Sequence, residues 1–343
     1  MALTRSTIDF GTVETLVQDY YMEPIRNQWV LSNALWYRLA KRMKIYAGGR
    51  SIVQGLTFVP EGGGGQWWSG VDKMQTAVRT TATAAVYYRK NYSVDITLSR
   101  DEEDSVNGPD KLRSILDVKM ENAKPTAIDA VGTALYNDGT DPKQVGGLLL
   151  AVKAVPGTSH TYGGITTSST NNTWWQNQAD VTAYSTGPSG TGTFAGVQGF
   201  GPISKMWSKI GRASGKRPTM IVSNWGAYTD YHNALTVNER YTRPQQDSDL
   251  AKAGFENVMY KSAAWVVDER APHDASNVEA VWFLNEPGMV LCVHTKRNMS
   301  FDGWKEPTDQ RVRIAYIDWS GELLLTERRS HGIISAVTTT ATS

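Results

Sequence analysis

Two strand-forming segments separated by a glycine-rich stretch constrain the fold of this chain more than any other feature. Residues 50–59 and 84–99 are rich in β-branched and aromatic residues, and 91–99 alternates polar with apolar side chains. The stretch EGGGGQWWSGVDKMQ at 61–75 joins them. We expect a long two-stranded arm, and because an isolated hairpin is marginally stable in water, the arm should pack on another surface.

The tip of this arm is the candidate contact site. Glycine loses more conformational freedom on folding than any other residue, so four consecutive glycines predict a tip that does not order by itself. Two adjacent tryptophans there are expected to be exposed and to anchor the tip on another subunit. The candidate contact residues are Gly62, Gly63, Gly64, Gly65, Trp67 and Trp68.

The remaining pattern mixes helices and strands and predicts an α+β fold. Apolar residues at helical spacing predict helices at 25–43, 109–138, 202–213 and 224–236. Runs of β-forming residues predict strands at 219–223, 257–268, 278–285, 288–295, 311–321 and 322–337, with short strands and loops at 154–204. In the longest helix, Pro125 should kink or interrupt the helix, and Gly139 should cap its end.

Composition excludes several classes of protein. The single cysteine, Cys292, rules out an intramolecular disulfide framework and a cysteine-cluster zinc site. The formal net charge of +1 argues against a strongly basic nucleic-acid-binding surface. The longest apolar stretch, near 145–155, is shorter than the roughly 20 residues that span a bilayer. The N-terminus has no apolar signal sequence.

Motifs for catalysis or cofactor binding are weak, and we expect no enzyme activity, no cofactor and no metal. No two of the five histidines have the i, i+4 spacing of a helical metal site. The sequence GTGTFA at 190–195 fits a dinucleotide pattern without the strand and helix that such a site requires. We interpret the acidic run at 101–104 as a solvated turn before the long helix.

The order of these segments resembles the major capsid proteins of tailed bacteriophages, with the Hong Kong 97-type fold. The motifs that carry the resemblance are Gly146-Gly147-Leu148, Tyr162-Gly163-Gly164-Ile165, Trp174-Trp175-Gln176-Asn177, Ala264–Asp268 with Val281–Asn285, and Met299–Trp304 with Arg311–Gly321. Each motif is loose alone, and their order and spacing make the match specific.

The resemblance implies an assignment of parts. The implied parts are an N-terminal arm at 1–45, an extended β-hairpin loop at 46–99, a peripheral domain with a long spine helix at 100–144, an axial domain at 145–300, and a return to the peripheral domain at 301–343. The extended loop would lie across a neighbouring subunit, and its glycines would let the tip settle differently in pentamers and hexamers.

The implied function is that of a shell protein. Pentamers and hexamers of the chain would assemble in the bacterial host cytoplasm into an icosahedral virion capsid around double-stranded DNA, which it would hold non-specifically. The implied partners are a portal and, in some members, a decoration protein; no membrane is involved. The arm pattern begins almost at Met1, so we expect a separate scaffolding protein. Lys73 lies where some members form a crosslink, but no acceptor can be chosen from sequence.

Two other functions stay open at this stage. A carbohydrate-binding β-rich protein would use Trp67-Trp68 and Trp174-Trp175 as stacking platforms. A hydrolase would bring two scattered carboxylates together in a pocket.

Overall fold

The computed structural model defines the fold over most of the chain. It describes residues 33–59, 65–74, 78, 80–105, 109–181, 184–185, 201–238, 257–272, 278–308 and 310–338. The predicted helix before residue 33, the tip glycines Gly62, Gly63 and Gly64, and the GTGTFA motif lie outside the described residues.

The described residues form six α-helices and sixteen strands. The helices are α1 (Ala34–Lys41), α2 (Arg100–Ser105), α3 (Pro109–Ala134), α4 (Leu148–Ala151), α5 (Gly201–Ser214) and α6 (Trp225–Asn238). The first eight strands are β1 (Lys44–Tyr46), β2 (Ser51–Thr57), β3 (Ala82–Tyr88), β4 (Lys90–Ser99), β5 (His160–Tyr162), β6 (Ile165–Thr167), β7 (Gln178–Asp180) and β8 (Tyr184–Ser185). The others are β9 (Met220–Ser223), β10 (Asn257–Tyr260), β11 (Ala263–Val267), β12 (Val278–Leu284), β13 (Met289–His294), β14 (Ser300–Lys305), β15 (Val312–Leu325) and β16 (Gly332–Thr338). None of the helices in this described part is both long and apolar enough to cross a lipid bilayer.

The chain divides into two compact units. Among the described residues, the smaller unit comprises Asn91–Val131 and Lys296–Ser320, and the larger unit comprises 33–90, 132–295 and 321–338. In the smaller unit, β14 runs antiparallel to the first part of β15, and β4 pairs with β15 as well. Ile96, Ala123 and Ile317 are buried in its core, so the alternation at 91–99 reflects one core-facing side of β4.

A mixed seven-stranded sheet forms the centre of the larger unit. Its strand order is β10-β11-β9-β12-β16-β7, and β8 also pairs with β16. Strands β9 and β11 are parallel and are buried along their whole length, which explains their continuous apolar sequences. The aromatic side chains of Trp207 from α5, Tyr231 from α6 and Trp265 from β11 are buried in the same core.

A second ladder in the larger unit joins β1, β13 and the end of β15. Strand β1 is parallel to β13, and β13 is antiparallel to residues 321–325 of β15. The only cysteine, Cys292, lies in β13 opposite Glu322 and is 7% exposed. Two hairpins complete the unit: β2 with β3, and β5 with β6.

The helix predictions for 202–213 and 224–236 are confirmed by α5 and α6. The long helix is also confirmed, but it ends at Ala134 and runs through Pro125 without interruption. Gly139 therefore does not cap it, and its φ of +84° belongs to a later turn. The acidic run at 101–104 forms α2 and not a turn.

Three strand predictions need correction. Residues 84–99 form two strands, because the β2–β3 pairing ends at Ser51 opposite Tyr88 and β4 pairs in the smaller unit instead. The arm is thus shorter than predicted. The segment 257–268 is a hairpin that turns at Lys261, where φ is +53°. The last two strands divide after Leu325 and not after Gly321, since β15 continues through Gly321 into the ladder with β13.

Gly147 occupies a position where the backbone comes too close for any side chain. A Cβ there would lie 2.2 Å from the Asn137 nitrogen and 2.7 Å from the Leu135 carbonyl oxygen. Its φ of −76° is ordinary, so the requirement is one of space. The next amide, Leu148 N–H, donates to the Leu135 carbonyl at 2.7 Å and fixes this close approach. The Gly-Gly-Leu motif therefore has a packing role after the long helix.

Replacing Gly147 with alanine should lower the free energy of unfolding by about 1–3 kcal/mol, because backbone atoms have to move to admit the methyl group. Gly157→Ala is the matched control, since a Cβ at Gly157 would meet nothing within 4 Å. That variant should stay within about 1 kcal/mol of the parent. Denaturant unfolding of both variants checks this. Equal midpoints would show that the close backbone approach at Gly147 does not exclude a side chain.

Candidate assembly surface

Exposed apolar side chains in the described part of the chain concentrate in one segment, residues 51–88, which we call the hairpin arm. Thirteen large hydrophobic side chains are exposed in that part of the chain, and seven of them belong to the arm. These are Val53, Trp67, Trp68, Val71, Met74, Val78 and Tyr88. A concentration of exposed apolar side chains is typical of an interaction surface, whereas single ones are normal on any protein.

The described tip presents both predicted tryptophans to solvent. Trp67 is fully exposed and Trp68 is 60% exposed. A local turn follows them, in which the Ser69 N–H donates to Asp72 Oδ2 at 3.0 Å and the Asp72 N–H donates to the Ser69 carbonyl at 3.2 Å. Gly65, the fourth predicted tip glycine, has a φ of +82°, which a side chain would strain. The tip thus has local backbone order while its aromatic rings are uncovered.

Hydrogen bonds hold the root of the arm to the rest of the larger unit. The Val86 N–H donates to the Gly163 carbonyl at 2.9 Å, and the Tyr87 hydroxyl donates to the Leu325 carbonyl at 3.0 Å. The rings of Tyr87 and Tyr162 meet edge to face with centroids 5.4 Å apart. Gly163 has a φ of +60°, and a Cβ there would lie 3.0 Å from the Tyr87 ring. The glycine pair of the β5–β6 turn therefore makes room for the arm.

The tryptophan pair at 174–175 supports the root of the arm. The Trp174 ring stacks on Phe58 with centroids 5.0 Å apart. Trp175 is 2% exposed, and its Nε1–H donates to the Tyr162 carbonyl at 3.2 Å. Trp175 has no face available to a sugar, and one face of Trp174 is covered. This geometry speaks against a carbohydrate platform at these two residues.

A buried carboxyl group lies on β15 near the root. Glu322 Oε1 accepts the Gly146 N–H at 2.8 Å and the Leu323 N–H at 3.2 Å. Burial raises the pKa of Glu322 to about 7, although the two N–H donors and the charge of Lys90 act in the opposite direction. Desolvation therefore outweighs the hydrogen bonds, and this group titrates near neutral pH.

A buried guanidinium lies beneath the same root. Arg328 Nε donates to the Ala151 carbonyl at 2.8 Å, and Arg328 Nη2 lies 2.9 Å from His160 Nε2. His160 Nδ1 lies 3.0 Å from the Thr158 carbonyl, so Nδ1 carries the proton and Nε2 accepts from the guanidinium. Burial lowers the pKa of Arg328 to about 10, and burial with the Arg328 charge lowers the pKa of His160.

Candidate catalytic groups do not come together in the described residues. Glu102, from the acidic run, accepts from Lys119 Nζ at 2.9 Å and from the Ser99 N–H at 3.1 Å, which is a structural ion pair in the smaller unit. Burial raises the pKa of the Cys292 thiol. Within this part of the chain, no group of three or more His, Cys, Asp and Glu side chains is arranged to hold a metal ion.

Sequence reasoning identified the arm but missed the polar groups at its root. Arg328 and Arg329 are adjacent, and no periodic pattern indicates that the first is buried and the second exposed. Glu322 stands between Gly321 and Leu323 in a strand whose alternation breaks down there. The only available signal was the pair of strand residues Tyr87 and Tyr162, whose hydroxyls need hydrogen-bond partners when the rings are buried.

No protein-family model matches the sequence, and no curated protein is significantly similar to it. Solved structures do match, over nearly the whole chain. The cyanophage A-1(L) capsid asymmetric unit has a TM-score of 0.67 at 14% identity, covering 94% of this chain and 98% of that chain. The holo-SrpI encapsulin complex from Synechococcus elongatus has a TM-score of 0.58 at 10% identity, covering 97% of both chains.

The capsid of a native GTA particle has a TM-score of 0.52 at 14% identity, covering 98% of this chain and all of that chain. At these identities the likeness shows the fold. The chain has the mixed helix and sheet architecture of the Hong Kong 97-type capsid fold, so the predicted fold class is confirmed.

Replacing Glu322 with glutamine should remove a pH-dependent loss of stability. The folded-state pKa, about 7, lies above the ordinary value of 4.5, so the folded state favours the protonated form. The contribution of Glu322 to the free energy of unfolding is fully present below pH 4.5 and is lost as the pH rises through 7. We expect the stability of Glu322→Gln relative to the parent to rise by about 3 kcal/mol between pH 4.5 and pH 8.5.

Denaturant unfolding at several pH values from 4.5 to 8.5 measures this difference. Glu306→Gln, at an exposed carboxyl in the smaller unit, is the control for the loss of one surface carboxyl. A Glu322→Gln difference that stays constant across the range would show that the carboxyl is ionised in the folded protein throughout.

Proposed function

We propose that this chain is the major capsid protein of a tailed bacteriophage and that it assembles as pentamers and hexamers into an icosahedral shell around double-stranded DNA. The observation that carries the proposal is the match to capsid structures over nearly the whole length of both chains. The exposed tryptophans of the hairpin arm support it, because a shell protein needs apolar surface that only a neighbouring subunit covers.

In this proposal the predicted parts keep their roles. The capsid fold would consist of these parts: the N-terminal arm at 1–45, the extended loop at 46–99, the peripheral segments at 100–144 and 301–343, and the axial domain at 145–300. The extended loop would lie across a neighbour and bury Trp67 and Trp68 there. Gly62–Gly65 would let the tip adapt to pentamers and hexamers, since glycine accepts more backbone conformations than other residues.

The net charge of the chain is consistent with a shell that binds its contents weakly. A formal net charge of +1 leaves little overall attraction for DNA, and it avoids strong repulsion between closely packed subunits. The partners in this proposal are other copies of the chain, a separate scaffolding protein, a portal, a decoration protein in shells that carry one, and packaged DNA. Assembly would take place in the host cytoplasm.

The likeness to an encapsulin complex favours one second candidate, a shell of the same fold with different contents. Both candidates are shells of the same fold, so their contents distinguish them. Particles isolated from infected host cells, in which the portal and scaffolding protein are also present, should contain nuclease-protected DNA if the chain is a phage capsid protein. A stoichiometric protein cargo without such DNA would favour the second candidate.

Negative-stain electron microscopy with light scattering tests the common part of both candidates. The purified chain, alone and with its candidate scaffolding protein, should give closed shells or rings of five and six subunits. Uniform closed shells from the chain alone would refute the need for a separate scaffold. A monomer under both conditions would overturn the capsid proposal.

The double variant Trp67→Ala/Trp68→Ala should fold normally and assemble poorly. Both rings are exposed in the subunit, so their removal leaves its core unchanged. A buried aromatic anchor contributes about 2 kcal/mol or more to an interface, so we expect the concentration needed for assembly to rise at least about tenfold. Light scattering against protein concentration measures this, and circular dichroism confirms the fold.

Val155→Ala is the control for the double variant, because Val155 is also apolar and 50% exposed but lies outside the arm. Its assembly should match the parent. If the double variant assembles at the parent concentration, the two tryptophans do not anchor the arm.

A further inference from the structure

A cavity of about 240 Å³ lies at the root of the hairpin arm. Its lining includes Phe58 from the arm, Trp174, Trp175, Ser214 and Arg328. A volume of this size is large enough for a small polar ion or for the end of a side chain. Three of the lining residues are aromatic, and most of the others are polar or charged, including the guanidinium of Arg328.

Arg328 is an unusual member of that lining because its charge is buried without an anionic partner among the described residues. The residue is fully buried. Its two hydrogen-bonded nitrogens meet neutral acceptors, the Ala151 carbonyl and His160 Nε2. The third nitrogen, Nη1, is buried and has no hydrogen-bond partner. Five N–H groups on a guanidinium need more acceptors than these two residues supply.

Aromatic rings contribute only part of the missing stabilisation. The guanidinium carbon lies 5.2 Å from the centroid of the Tyr162 ring and 5.9 Å from that of Trp175, within the range of cation–π attraction. Such contacts stabilise a cation, but they do not accept the remaining N–H groups in the manner of an oxygen ligand.

The neighbouring acidic groups are committed elsewhere. Glu327, the preceding residue and a lining residue of the same cavity, pairs with Lys216. Glu322 accepts the backbone N–H groups of Gly146 and Leu323. Because a buried charge without a counter-charge is strongly destabilising, the described part of the chain leaves this site incomplete.

We propose that Arg328 and this cavity form a binding site for an oxyanion, either a carboxylate or a phosphate. A guanidinium presents two parallel N–H groups to the two oxygens of such a group, which a lysine cannot do. Burial of the guanidinium strengthens that interaction, because the local dielectric constant is low. The oxyanion can come from two sources: the acidic side chain of a second copy of the chain, or free inorganic phosphate. The first source rests on the proposed function, and the second does not.

Isothermal titration with inorganic phosphate tests the site on the unassembled fraction of the full-length protein, with sodium chloride at equal ionic strength as the reference. We expect saturable binding of one phosphate per chain. Arg328→Gln should weaken binding at least tenfold. Arg329→Gln is the matched control, since Arg329 is exposed and lines the same cavity, and its affinity should change less than threefold.

Arg328→Gln removes a buried group, which can prevent folding. A second variant therefore tests the site independently. Ala213 lines the cavity from the end of α5, and Ala213→Phe should fill the space while leaving Arg328 in place. This variant should also lose phosphate binding. An absence of saturable binding in the parent protein, or equal loss in Arg329→Gln, would overturn the proposal.

Assembled particles distinguish the two sources. If they bind phosphate as the unassembled chain does, the ligand is a free anion. If assembly removes the binding, a carboxylate from a neighbouring copy occupies the site. Failure of the chain to form particles would count against the proposed function only, because the titration of the unassembled chain stands without it.

Discussion

Three hydrogen bonds at the root of the hairpin arm fix the part of the structure on which the proposed function depends. Two are donated by the buried hydroxyls of Tyr87 and Tyr162 to backbone carbonyls of β15, and the third joins Val86 to Gly163. A buried hydroxyl without a partner is costly, so these contacts favour one orientation of the root. A two-stranded ladder has little core of its own, and the root gives it a fixed support. The exposed tip can then remain free for a partner.

Sequence patterns predicted the elements that have a single buried face. Helix α5 was located closely, because its apolar residues repeat with the period of a helix and the flanking residues end it. Strand β9 is buried along its whole length and was located instead from its short, continuous apolar run. Patterns were less informative where one apolar run serves two elements. Residues 84–99 form one run of β-forming residues across both β3 and β4, and only the pairing partners separate the arm from the core strand of the smaller unit. Pairing over such distances along the chain leaves no local signal.

The candidate assembly surface was also predicted only in part. The exposed tip was predictable, since four glycines followed by Trp67 and Trp68 form neither a core nor an ordinary loop. The root was not, because burial of Arg328 arises from residues as distant in sequence as Ala151 and His160. The order of motifs along the chain identified the fold, which the structural comparisons confirm. What the tip contacts remains a proposal, as do the domain boundaries drawn from sequence.

The single thiol of the chain gives the fold a built-in reporter. Cys292 lies in β13, between the parallel partner β1 and the antiparallel partner β15, and burial keeps it largely protonated and shielded. Because the residue is only 7% exposed, a thiol reagent should modify it faster when this ladder opens, so the modification rate reports local opening at one known position. With no second cysteine in 343 residues, the labelling signal needs no deconvolution, even in a particle built from many copies.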